Sequence, residues 1–131
     1  MRYMLMVYTD ELLRSRNSRE EMRELIAGHA AVTREAKEKG ALHMGAPLKP
    51  VSTATTIRIN DGEISIIDGP FADTKEQLAG FYVLECENLD EAIGWAKKFA
   101  SACGHRGDTC FEIRPCEDYS YLDSDSGDAG S

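Results

Sequence analysis

The sequence lacks the features that mark membrane proteins and nucleic-acid-binding proteins. No apolar run approaches the ~20 residues that a membrane helix needs, and the apolar N-terminal stretch is too short for the core of a signal peptide. Lysine and arginine form no basic stripe, and neither follows Arg114, while the formal net charge is −8. Nucleic acids and anionic membrane surfaces attract clustered basic residues. The sequence therefore predicts a cytoplasmic protein that binds neither nucleic acid nor a membrane.

The signatures of common cofactor, metal and catalytic sites are missing as well. No phosphate-binding loop, dinucleotide fingerprint, Ser-His-Asp order or nucleophile elbow occurs, so we predict no cofactor. The four cysteines include no closely spaced pair of the kind that marks a zinc site, although Cys103, His105, Cys110 and Cys116 follow one another near the C-terminus. We therefore predict no metal site, and thiols rather than disulfides in a reducing cytoplasm.

The length and composition are those of one globular domain with an acidic end. A chain of 131 residues with 42% hydrophobic and 29% charged residues can bury a core of its own. The last fifteen residues contain five acidic residues and four serines, and this composition is typical of disorder. We predict a folded domain over residues 1–116 and a disordered acidic tail over residues 117–131.

Local patterns predict four further strands and two long helices after a buried strand at residues 2–8. A capping box, in which Ser18 and Glu21 bond reciprocally, begins an amphipathic helix that ends at Gly40. The Asp61-Gly62 pair between two β-rich runs is a strong hairpin signal. The remaining predictions are an irregular or short extended piece at 41–52, a helical turn at 74–77, a strand at 78–85, a helix capped by Asn88, and a strand at 109–114.

The element order β-α-β-β-β-α-β predicts an α+β fold of the ferredoxin-like split β-α-β type with an extra hairpin strand. The two helices would cover one face of a mainly antiparallel sheet. Because the other face must also be buried, we expect two copies to pack sheet against sheet as a homodimer.

The string Asp68-Gly-Pro-Phe71 has two interpretations. It can simply reverse the chain, because the Asp side chain accepts turn N–H groups, Gly permits positive φ and Pro fixes φ. Alternatively, Asp68 ends a strand at a pocket near Thr74 and Lys75, and acts there as an acceptor or base.

Residues 68–82, together with residues 53–62 and 1–6, resemble the DGPF family within the YCII-related proteins. The resemblance covers residues 1–116. It implies a ferredoxin-like unit that pairs into a dimeric α+β barrel. Family members are mostly uncharacterised, and many are encoded beside extracytoplasmic-function sigma factors.

The resemblance also bears on His29. YCII relatives carry a His on the first helix and an Asp near the second, proposed together as a catalytic pair. His29 corresponds to that His, since it lies eleven residues before Gly40 as in the relatives. Phe99 stands where the Asp would be, so the pair is absent in that form. Asp68 would replace the lost carboxylate only if it meets His29 in space.

Two hypotheses about function follow. In the first, a cleft lined by His29, Asp68 and Tyr82, with Lys75 at its rim, binds a small molecule or transfers a proton on it. Arg58 could pair an anionic ligand or lie on an exposed strand face, and His43 and His105 are treated as incidental. In the second, the domain is a regulatory or protein-interaction module of a sigma-factor system, with its acidic tail contacting a basic partner.

Overall fold

The computed structural model describes residues 1–103 and 109–122. Two long helices pack on one face of a four-stranded antiparallel sheet, and a separate two-stranded hairpin completes the described chain. In chain order the elements are β1 (Arg2–Thr9), α1 (Glu11–Arg14), α2 (Arg19–Glu38), β2 (Leu42–Pro47), a 3-10 turn (Val51–Thr53), β3 (Thr55–Asn60), β4 (Glu63–Asp68), β5 (Gln77–Glu85), α3 (Leu89–Ala102) and β6 (Thr109–Pro115).

The main sheet has the strand order β2-β5-β1-β6, and all neighbouring strands are antiparallel. Alternation along β1 directs Tyr3, Leu5 and Val7 toward the helices, where they are buried, while Met4 and Met6 on the opposite face are only half-buried. The α+β class is confirmed, and the arrangement is consistent with a ferredoxin-like unit.

Both long helices begin as the sequence predicted, and α2 also ends as predicted. Ser18 Oγ accepts the Glu21 N–H at 3.0 Å and the Ser18 N–H donates to Glu21 Oε1 at 2.9 Å, which completes the capping box. Gly40, with φ +69°, ends α2, because the next N–H then reaches back to the Ala36 carbonyl. Asn88 Oδ1 caps α3 by accepting the Glu91 N–H at 2.9 Å.

One local feature matches the second of two predicted alternatives, and two others differ from the sequence predictions. The short extended piece expected within residues 41–52 is β2, an edge strand that tolerates Pro47 at its end. The helical turn expected at 74–77 is wrong, because Gln77 pairs with Thr9 and so begins β5. The short helix α1 was not predicted; Asp10 caps it by accepting two N–H groups.

The predicted hairpin forms, but as a sheet of its own rather than as part of the main sheet. Asp61 and Gly62 both have positive φ, as a type I′ turn requires. Cross-strand pairing places four isoleucines on one face of the hairpin, and each is at least 63% exposed: Ile57, Ile59, Ile64 and Ile66. The opposite face is mainly polar, so the hairpin is amphipathic and the described chain leaves its apolar face uncovered.

Residues 117–122 of the predicted tail lie partly in a helical turn at 120–122, which begins where Asp118 accepts the Ser120 N–H. The rest of the tail and His105 lie outside the described residues.

Candidate functional site

A cavity of about 680 Å³ lies between α2 and the β2–β5 edge of the main sheet. This volume is within the range of small-molecule sites, roughly 300–1,000 Å³. Most of its wall is apolar, and the apolar residues along it include Met22, Leu25, Ile26 and Leu42. Polar side chains enter from α1, α2, β2 and β5, namely Arg14, His29, Thr33, Lys37, His43 and Tyr82.

His29 is a polar group in this wall that is hydrogen-bonded at both ring nitrogens. Its Nδ1 lies 3.1 Å from Tyr82 Oη, and its Nε2 lies 2.8 Å from Cys103 Sγ. The Thr33 hydroxyl donates to the His29 carbonyl at 2.8 Å, one turn back on α2. Both ring nitrogens of the imidazole therefore have protein partners, so the side chain is held in one orientation.

Phe99 supports the same cluster from α3. It is fully buried, and its ring centroid lies 4.2 Å from that of Tyr82 and 5.7 Å from that of His29. Stacked aromatic contacts of this kind favour a fixed ring arrangement. Phe99 is thus a packing partner of the imidazole rather than the charge partner that an Asp at this position would be.

Two glycines allow these side chains to meet. A Cβ on Gly28 would lie 3.0 Å from Ala102 Cβ, so the absence of a side chain lets α2 and α3 approach beside His29 and Cys103. A Cβ on Gly45 would lie 2.8 Å from Tyr82 Cδ1 and 2.8 Å from the Phe81 carbonyl oxygen, so only glycine leaves room for the Tyr82 ring against β2.

Burial and a neighbouring charge set the protonation of the cluster. Burial lowers the pKa of His29 below its usual value of 6.5, and the Arg14 guanidinium lowers it further. Burial raises the pKa of Tyr82 above 10, the Thr33 hydroxyl opposes that rise, and Cys103 adds to it. At neutral pH the cluster is therefore an uncharged imidazole beside an uncharged phenol.

The structure places only two of the predicted site residues, His29 and Tyr82, at the cavity. Asp68 ends β4, where it pairs with Thr55 and is exposed. The described lining of the cavity does not include it, because the hairpin that carries it leaves the main sheet after β2. The expected meeting of Asp68 with His29 is therefore not found within this chain, and a chemical role for Asp68 stays a prediction.

Of the other predicted ligand-binding residues, Arg58 lies in the hairpin strand β3, and Thr74 and Lys75 lie in the segment that follows the hairpin. Arg58 reaches the Phe71 carbonyl at 3.5 Å, and the Thr74 hydroxyl donates to the Glu76 carbonyl at 2.8 Å. Lys75 is exposed. Gly69, with φ +98°, donates its N–H to the Ala54 carbonyl at 2.7 Å, so the Asp68-Gly-Pro-Phe71 string closes the base of the hairpin. The contacts that the structure describes for this string hold the turn of the chain.

Sequence reasoning missed Cys103 and Arg14. Cys103 follows the last residue of α3 and lies on the inner stripe that the helical period predicts, but its contact with His29 depends on how the helices dock. Arg14 lies at the end of the unpredicted helix α1 and donates to the Thr109 hydroxyl at 3.0 Å. Its proximity to His29 had no local sequence signal.

Within residues 1–103 and 109–122, no group of three or more His, Cys, Asp and Glu side chains is placed to hold a metal ion. Among the helices of the same described ranges, none combines the length and apolar composition needed to cross a membrane.

Comparison with known proteins defines the class. The YCII-related domain matches residues 1–115, so the chain belongs to the YCII-related domain family. An uncharacterized protein of Rhizobium meliloti (strain 1021) is 41% identical over 115 residues, which are 88% of this chain and 91% of the relative. The family match extends over the whole main sheet and both long helices.

Proposed function

We propose that this protein binds a small molecule in the cavity between α2 and the β2–β5 edge, with its polar group at His29 and Tyr82. The observation that carries the proposal is a hydrogen-bonded, half-buried His–Tyr pair in the wall of an otherwise mostly apolar cavity of about 680 Å³. Ligand sites typically combine an apolar wall with a few convergent polar groups. The ligand that fits this wall has an apolar body and one polar end.

The exposed mouth of the cavity allows a direct test. Ile26 lines the cavity and is 62% exposed, so Ile26→Trp should narrow the entrance without disturbing the core. Leu12 on α1 is 68% exposed and does not contribute to the described lining, so Leu12→Trp is the matched control. The probe is 2-naphthol, whose binding is followed by its fluorescence.

We expect 2-naphthol to bind the wild-type chain, Leu12→Trp to leave the Kd unchanged, and Ile26→Trp to raise it by roughly tenfold or more, which is about 1.4 kcal/mol. Equal binding by all three proteins would place the probe elsewhere and overturn the proposal. Absence of binding to the wild-type protein would also overturn it.

We further propose that the binding protein is a homodimer in which the isoleucine face of the hairpin is covered by a second copy. A two-stranded hairpin is at best marginally stable in water unless its apolar face packs on something. The chain also has an open sheet face with half-buried Met4, Met6 and Phe81. Two apolar surfaces of one chain can cover each other reciprocally across a twofold axis.

Substitutions on the two faces of the hairpin test this assembly. Ile59 and Ile64 are cross-strand partners on the apolar face, and Arg58 and Ser65 are partners on the polar face. Threonine keeps strand propensity at each position. By light scattering, wild type and R58T/S65T should be dimers and I59T/I64T should be a monomer. A monomeric wild type, or a dimeric I59T/I64T, would contradict the assembly.

The alternative of a regulatory module in a sigma-factor system stays a prediction, since none of the described contacts favours it and residues 123–131 of the tail lie outside the described residues.

A further inference from the structure

The hydrogen bonds of His29 form a chain with three members. Tyr82 Oη lies at one ring nitrogen and Cys103 Sγ lies at the other. A neutral imidazole has one N–H donor and one lone-pair acceptor. One of the two contacts must therefore donate to the ring while the other accepts from it, and the choice decides which atom can exchange a proton with a ligand.

The chemistry of the two partners decides the direction. A phenolic O–H is a strong donor, whereas an S–H is a weak one, so the imidazole lone pair pairs best with Tyr82. Cys103 is buried at the C-terminal end of α3, where the helix dipole disfavours a thiolate. A neutral thiol whose sulfur accepts the Nε2–H satisfies both constraints.

We propose that Cys103 is a positioning residue whose sulfur accepts a hydrogen bond from the Nε2–H of His29. Nδ1 is then left to accept a hydrogen bond from the Tyr82 hydroxyl. The Tyr82 oxygen is therefore the atom of the cavity that exchanges a proton with the ligand. This inference rests on the proposed binding function. Tyr82 and His29 line the cavity, whereas the described lining does not include Cys103. Cys103 therefore acts through the imidazole and not on the ligand.

This arrangement fits a ligand with an acidic hydroxyl group, such as a phenol or an enol. The ligand O–H bond breaks as its proton moves to the Tyr82 oxygen, and the Tyr82 O–H bond breaks as its proton moves to His29 Nδ1. The products are a ligand oxyanion and an imidazolium whose Nε2–H stays on the sulfur. The guanidinium of Arg14, also in the cavity wall, stabilises the oxyanion that forms.

The groups around His29 come from several elements. Arg14 faces it from α1, Tyr82 from β5, and Cys103 and Phe99 from α3. Lys37 on the same helix and His43 on β2 line the same cavity. Of these, only Cys103 and Tyr82 are hydrogen-bonded to the ring, so substitutions at these two positions should change its tautomer.

The tautomer of His29 can be read by NMR without any ligand. In protein labelled with 15N-histidine, long-range 1H–15N spectra distinguish a protonated from an unprotonated ring nitrogen. The wild-type protein should show a protonated Nε2 and an unprotonated Nδ1. C103S retains an acceptor and should keep this pattern, whereas C103A should reduce the tautomer preference by about fivefold, the size expected for one hydrogen bond.

A wild-type spectrum with the proton on Nδ1 would overturn the inference, and so would a C103A spectrum identical to that of the wild type. A ligand pair supplies an independent readout. The wild-type protein should bind 2-naphthol more tightly than 2-methoxynaphthalene, and Tyr82→Phe should remove that preference. If both probes bind equally to the wild type, the proton-transfer role is refuted while the binding function stands. If neither binds, the binding function itself is refuted.

Discussion

Substituting Gly28 by Ala probes the contact on which the site geometry depends. Gly28 lies inside α2, and an added Cβ would meet Ala102 Cβ at 3.0 Å and the Ala102 carbonyl oxygen at 3.2 Å. Carbon atoms in contact normally lie about 3.5–4.0 Å apart. The end of α3 would therefore have to move by several tenths of an ångström, in the region where Cys103 reaches His29.

The chain supplies a matched control in Gly94. It lies inside α3, and a Cβ there would meet nothing within 4 Å. Replacing glycine by alanine in a helix interior stabilises by about 1 kcal/mol. Gly94→Ala should show that full gain, whereas in Gly28→Ala overpacking costs about 1–3 kcal/mol and offsets it.

The assay is urea denaturation at one fixed protein concentration, because the stability of a dimer depends on concentration. We expect the free energy of unfolding of Gly28→Ala to fall at least about 1 kcal/mol below that of Gly94→Ala, from the overpacking cost alone. If the two variants gain equally, the helices can separate without cost. The reasoning that Gly28 sets the distance between His29 and Cys103 would then be refuted.

Three further predictions concern charge, reactivity and packing. Because the pKa of His29 is lowered in the folded state, the folded protein binds a proton at this imidazole less readily than the unfolded protein does. The stability that the neutral imidazole contributes above about pH 6.5 is therefore lost as the pH falls. In urea titrations the wild type should lose more stability than His29→Gln between about pH 7 and about pH 5, and equal losses would contradict this. The exposed Cys110 thiol donates a hydrogen bond to the Glu76 carboxylate, which raises the pKa of the thiol from 9.0 to about 11. With about 100-fold less thiolate, partly offset by its greater nucleophilicity, its alkylation near pH 8 should be about tenfold slower than that of an ordinary thiol. Glu76→Gln should restore the rate, and an unchanged rate would contradict the role of this carboxylate. In Gly45→Ala the new Cβ would lie 2.8 Å from Tyr82 Cδ1, so the Tyr82 ring should shift. The variant should then bind 2-naphthol more weakly in the fluorescence titration, and unchanged binding would contradict this.

Local sequence patterns predicted most of the helices and turns because hydrogen bonds between neighbouring residues determine where these elements begin and end. The capping box at Ser18, the glycine at position 40 and the Asp61-Gly62 turn each satisfy specific backbone groups, so their outcome depends little on distant residues. The edge strand β2 and the start of β5 at Gln77 depend on pairing partners far along the chain. The local sequence at 74–77 is compatible with a helical turn, but Gln77 pairs with Thr9 of β1 and becomes part of β5 instead.

The candidate site was predictable only in part, for the same reason. His29 and Tyr82 lie on elements with clear periodicity, so their inward direction follows from the sequence. That they meet depends on the approach of α2 to the sheet and on the space left by Gly45. Asp68 looked equally suitable as a carboxylate at a strand end. The hairpin that carries it separates from the main sheet, and no local pattern encodes that separation.

Cys103 is a hydrogen-bond partner of His29 at a position that the resemblance to the family did not indicate. The side chain at position 99 is a phenylalanine, which cannot accept a hydrogen bond from the imidazole. A helix brings residues four apart onto the same face, so position 103 lies one turn further along that face. There Sγ is 2.8 Å from Nε2 while Phe99 packs against the ring. A neutral sulfur orients the imidazole without raising its pKa as a carboxylate would. The proton acceptor in this cavity is therefore expected to be uncharged at neutral pH before a ligand binds. Cys103→Asp should raise the pKa of His29, which can be measured by following its 15N ring shifts as the pH is varied.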